Sequence, residues 1–94
     1  MGVRCTVYSK TVIVVNQVGL YAKAATSFVQ KANEFKSTVW IEKDERRVNA
    51  KSLLGILSMG LTRDSEMTIL AEGKDEQEAV NALCDLVASG FSEQ

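Results

Sequence analysis

The chain contains no histidine and no proline, and only two of its 94 residues are cysteine. Without an imidazole it has no side chain whose ordinary charge change falls near neutral pH, which excludes histidine-based acid–base and nucleophilic chemistry. Cys5 and Cys84 stand far apart, with no Cys-x-x-Cys spacing. That leaves no zinc-ligand set, and no metal or cofactor is expected; the two read as reduced thiols, with Cys84 buried on a helix. The absence of proline removes the usual marker of a linker, and there is no internal repeat or low-complexity stretch, so 1–94 reads as one domain. No apolar run reaches the roughly 18 residues that a membrane span needs. The opening MGVRCTVYSK also lacks the apolar core of a secretory leader, so the expectation is a cytoplasmic protein that makes no membrane contact.

What is present is a globular composition, 46% hydrophobic and 24% charged. The net charge of −1 conceals an asymmetry: residues 1–63 hold ten Lys/Arg against four Asp/Glu, and residues 64–94 hold one against eight. The basic residues are spread over several elements, not gathered in a run. They read as solvated faces and not as a nucleic-acid patch.

Hydrophobic periodicity lays out the elements. Thr11 to Val15 (TVIVV) is a β-branched run that reads as a buried strand, begun as early as Cys5, and the Asn16–Gly19 stretch breaks it. Ala22 to Glu34 carries Ala25, Phe28, Val29 and Ala32 at helical spacing. Thr38 to Lys43 and Arg46 to Asn49 form a hairpin around Asp44-Glu45. Ser52 is placed to cap a short helix, LLGILSMG, that ends at Gly60. Ser65 to Glu72 is a strand with Met67, Ile69 and Ala71 on one face. Glu76 to Ser89 is a helix with the stripe Ala79, Val80, Leu83, Leu86 and Val87, capped by Asp75 with Glu78 completing a capping box and closed by Gly90. The order predicts an α+β domain, an antiparallel sheet with helices on one face.

One stretch stands out. Residues 18 to 25, VGLYAKAA, run from a glycine-marked loop into a helix start, where free backbone N–H groups and the positive dipole end suit anions. The residue at the mouth of that helix is a tyrosine.

Taken together, VNAKSLLGILSMGL (48–61), EFKSTVWIEKDERRVNAKS (34–52) and AEGKDEQEAVNAL (71–83) resemble the HPr family, the small histidine-phosphorylated carriers of the bacterial sugar phosphotransferase system. The resemblance covers the chain after its first half-dozen residues. It implies an open-faced sandwich of order βαββαβα, a four-stranded antiparallel sheet with three helices on one face. The family's phosphoacceptor motif runs glycine, aliphatic, histidine, alanine, arginine, proline, alanine. Gly19, Leu20, Ala22 and Ala25 match it, but Tyr21 stands in the place of the reactive histidine, Lys23 replaces the arginine and Ala24 the proline.

These changes remove the relay chemistry. A relay needs a labile phosphoryl bond on a nucleophile active near neutral pH, which a phosphoimidazole supplies. A tyrosine hydroxyl, with a pKa of about 10, is protonated at neutral pH, and its phosphate ester is too stable to hand on. Lys23 keeps a charge without the planar fork that grips phosphate at two points. Tyr21 then reads either as a packed ring with its hydroxyl in water or as a partner contact.

Ser52 matches the family's regulatory serine, which a dedicated kinase phosphorylates from ATP; the modification would add nearly two negative charges. The family docks partners on this short helix and on the loop at Leu20 to Lys23. Leu53, Leu54 and Leu57 cannot all face inward from so short a helix, while Ile56 reads as core. The expected docking surface is therefore Leu20, Tyr21, Leu53, Leu54 and Leu57, rimmed by Lys23, Lys51 and Ser52.

The reading implied is a regulatory member of the family's catabolite-repression branch, whose members also lack the reactive histidine. It is not an enzyme, and it makes no direct nucleic-acid contact. Its partners would be an HPr kinase/phosphorylase and a LacI-type catabolite regulator (catabolite control protein A), or other phosphotransferase-system proteins. Two alternatives stand beside it: a phosphocarrier of sugar uptake using a non-histidine acceptor, and an unmodified docking or scaffold module.

Overall fold

The computed structural model describes residues 7–15 and 23–90. Seven elements follow one another: β1 (Tyr8–Ile13), α1 (Lys23–Ala32), β2 (Thr38–Lys43), β3 (Arg46–Asn49), α2 (Leu53–Ser58), β4 (Glu66–Glu72) and α3 (Glu76–Ala88). The strands form one sheet of order β1-β4-β2-β3, antiparallel throughout, with Val12 opposite Met67, Trp40 opposite Leu70 and Glu42 opposite Arg47. Alternation along β2 and β4 sends Val39, Ile41, Met67, Ile69 and Ala71 into the core. The helices cover that face, with α3 over β1 and β4 and α2 beside β3. Trp40, Thr68 and Leu70 lie on the opposite face, which no described helix covers, and are half-buried. This is the α+β open-faced sandwich that the sequence predicts.

The core is built from the helix stripes. Phe28 of α1, Ile56 of α2 and Leu83 of α3 are fully buried against Ile41, Met67 and Ile69. Each such side chain is worth about 1.5–3 kcal/mol of burial. Cys84 is buried on α3 as expected, and desolvation pushes its thiol up from the ordinary range. Cys5 and the Asn16–Gly19 break lie outside the described residues. No helix among the described residues is long and apolar enough to cross a membrane.

The hairpin turns where expected. Asp44 and Glu45 both take left-handed backbone, at φ of 52° and 69°, the positive φ at both central positions that a two-residue hairpin favours. No glycine is present to ease it.

Three expectations need correction. The run Thr11 to Val15 is not a buried strand. Strand β1 is an edge of the sheet, where Ile13 and Val15 are 50% and 46% exposed and only Val14 is buried. β-Branching reported strand preference there, not burial. Helix α1 ends at Ala32 and not Glu34, because the Asn33 side chain donates to the Val29 carbonyl at 2.9 Å and the chain turns. The expected start at Ala22 lies outside the described residues.

Asp75 stands at the N-cap position of α3, but its side chain makes no cap bond. Its carboxylate instead accepts the backbone N–H groups of Lys36 and Ser37, each at 2.9 Å, and the Ser37 hydroxyl. Glu76, not Glu78, turns back on the chain, its Oε1 accepting from the Gly73 N–H at 3.0 Å. The α1–β2 loop offers Asp75 several donors at once, and they outcompete the cap. The Ser37 hydroxyl first, and the Lys36 N–H next, lower the Asp75 pKa from 3.8 to about 2.

Candidate functional site

Helix α2 and the residues leading into it form the site. Asn49 Oδ1 accepts the Lys51 N–H at 2.8 Å, folding the chain out of β3 toward the helix. Ser52 then takes the N-cap with extended backbone, and its Oγ accepts the Gly55 N–H at 3.1 Å. The Ser52 carbonyl accepts the Ile56 N–H at 3.0 Å and closes the first turn. Ser52 is part-buried, neither free in solvent nor enclosed.

Two cations from outside the helix hold it in place. Lys51 donates from Nζ to the Phe35 carbonyl at 2.7 Å, tying the helix entry to the α1–β2 loop. Arg46 of β3 donates to the Ser58 carbonyl at 3.3 Å, supplying the positive group that the last turn of α2 lacks. Lys51 was expected at the rim of the leucine surface; its ammonium instead points back to a backbone carbonyl. Neither tie is signalled in the sequence, since each joins elements separated along the chain.

The leucines divide by helical phase. Ile56 is fully buried, Leu57 packs part-buried against the core, and Leu53 and Leu54 are 41% and 81% exposed. With Leu54 facing solvent, α2 presents apolar surface between Ser52 and the Arg46 tie, and it carries no acidic side chain. Lys23, exposed at the start of the described part of α1, has no acidic neighbour in its first turn. Helix α1 touches α2, so both belong to one face of the molecule. Leu20 and Tyr21 lie outside the described residues. The site therefore brings together Ser52, Leu53 and Leu54 on one short helix, with Leu57 partly withdrawn and Lys51 engaged behind it.

A family model described as "PTS HPr component phosphorylation site" matches residues 8–89. This chain belongs to the HPr family. The HPr-like protein Crh of Bacillus subtilis is 46% identical over 71 residues, covering 76% of this chain and 84% of that protein. The phosphocarrier protein HPr of Neisseria meningitidis is 37% identical over 84 residues, covering 89% of this chain and 94% of that one. Among solved structures, HPr-C-His of Thermoanaerobacter tengcongensis superposes with a TM-score of 0.90 at 45% identity, over 93% of this chain and 98% of that one. The HPr fold is thus present with no histidine in the chain.

Proposed function

We propose that this chain is a regulatory, non-relay member of the HPr family, switched by phosphate on Ser52 and acting by protein–protein docking in carbon catabolite control. One observation carries the reading: the chain keeps the HPr fold and the serine at the mouth of α2 but has no histidine. A carrier must accept a phosphoryl group and release it to the next protein. The hydroxyls of Tyr21, Thr26 and Ser27 near the family's acceptor position would form stable esters, so the relay stops there. A serine ester suits a switch, because it persists until a phosphatase removes it.

The likeness to Crh supports the same reading. Ser52 is part-buried, with some of its surface in solvent, and Leu53 and Leu54 beside it form an apolar contact a partner could cover. A phosphate on Ser52 would set a double negative charge against that contact and change which partners it fits. The partners proposed are an HPr kinase/phosphorylase and a LacI-type catabolite regulator, with other phosphotransferase-system proteins as competitors. The protein would act in the cytoplasm, without catalysis of its own and without touching nucleic acid.

The test is site-mapped mass spectrometry in two arms. Incubation with ATP and a bacterial HPr kinase should place one phosphate on Ser52. Incubation with phosphoenolpyruvate and Enzyme I should leave no acid-labile phosphate. Acid-labile label in the second arm, or an unmodified Ser52 in the first, overturns the reading.

A further inference from the structure

Helix α2 contains a glycine that its backbone does not require. Gly55 is the third residue of a six-residue helix, and its φ is not in the left-handed region. Glycine is among the poorest helix formers, so a short helix gains nothing from it on propensity grounds. The space around it gives another reason. A Cβ on Gly55 would lie 3.4 Å from the Ser52 Oγ, 3.4 Å from the Ser52 Cβ and 3.4 Å from the Val48 Cβ. Those are ordinary contact distances, so alanine fits without moving the backbone. The added methyl would nonetheless stand as a wall against the Ser52 hydroxyl, on the side where the Gly55 N–H already meets that oxygen at 3.1 Å.

We propose that Gly55 is a positioning residue for phosphorylation of Ser52: the missing side chain leaves open the flank of the hydroxyl that the phosphoryl group must occupy. The inference rests on the reading of Ser52 as the phosphoacceptor. In the transfer, the Ser52 Oγ–P bond forms as the bond from the γ-phosphorus to the β-phosphate oxygen of ATP breaks. ADP leaves, and the seryl proton passes to a base on the kinase. The attacking oxygen must reach in line with the breaking bond, and the new ester carries three further oxygens. With a methyl in van der Waals contact with Oγ, the rotamers that direct the hydroxyl and its phosphate along that flank are closed. Ser52 would still cap the helix, because capping needs only the oxygen and not the space beside it.

The experiment compares wild type with Gly55→Ala, using ATP and a bacterial HPr kinase, with Ser52 phosphate read by intact and site-mapped mass. The melting temperature of Gly55→Ala is expected to equal or exceed that of wild type. Its kcat as a kinase substrate is expected to fall roughly tenfold or more with KM within about twofold, since the obstruction lies at the reacting oxygen and not at the docking surface. Phosphorylation at the wild-type rate overturns the proposal, as does a rise in KM at unchanged kcat, which would place Gly55 in docking. A loss of rate that follows a lowered melting temperature overturns it too. A wild type that takes no phosphate on Ser52 refutes the phosphoacceptor reading itself and removes the proposal with it, a result distinct from an unaffected Gly55→Ala.

Discussion

The Asp75 carboxylate ties the start of α3 to the α1–β2 loop. Its position before α3 and the acidic residues after it are what a capping box looks like in sequence. Its actual partners, the backbone of Lys36 and Ser37, lie 39 and 38 positions away and leave no local trace. A pH dependence follows. The folded pKa is depressed to about 2 from 3.8, so the unfolded chain takes up the proton first as the pH falls. The stabilisation is complete above the ordinary carboxylate range and is lost as the pH drops through about 2. Thermal unfolding between pH 5 and pH 2 should show a steeper fall for wild type than for Asp75→Asn, which lacks the titrating group.

Core residues obey local rules more closely. Phe28 was readable from helical spacing and is fully buried, so Phe28→Ala is expected to cost about 3–5 kcal/mol in a denaturant titration. Cys84, buried and with its thiol pushed up, should resist iodoacetamide in the native protein and react once the chain is unfolded.

Among the elements, strongly patterned segments were legible almost to the residue. Strands β2 and β3 fall where alternation and the polar turn place them, and Ser52 caps α2, its Oγ accepting the Gly55 N–H. Strand β1 was misread in burial, because whether a β-branched run sits at the centre or the edge of a sheet is a property of topology. The ties of Lys51 to Phe35 and Arg46 to Ser58 were invisible for a similar reason: a long cationic side chain carries no local sign of the carbonyl it reaches. On helix α2, Leu54 serves docking alone, whereas Ser52 serves both the helix and the switch. Leu54 is 81% exposed, so Leu54→Asp should change folding stability by no more than about 0.5 kcal/mol while abolishing partner binding. Ser52→Ala removes both the cap and the phosphoacceptor, so it should cost about 1 kcal/mol and, after kinase treatment, also fail to bind the regulator. Denaturant titrations, with pull-downs of the kinase-treated variants, check both expectations.

At the scale of the whole molecule, the chain belongs to the HPr family and contains no histidine. Composition alone shows this, and a chain without histidine cannot carry phosphate on one. Under the proposed function, partners read the surface of α2: Leu53 and Leu54 exposed, Ser52 at the helix entry and Gly55 beside its hydroxyl. The account's central claim is that phosphate on Ser52 decides partnership. The measurement that tests it most directly is isothermal titration of a LacI-type catabolite regulator with the Ser52-phosphorylated protein and with the unmodified protein. The account predicts binding by the phosphorylated form and none detectable by the unmodified one. Equal binding by both forms, or by neither, would contradict it.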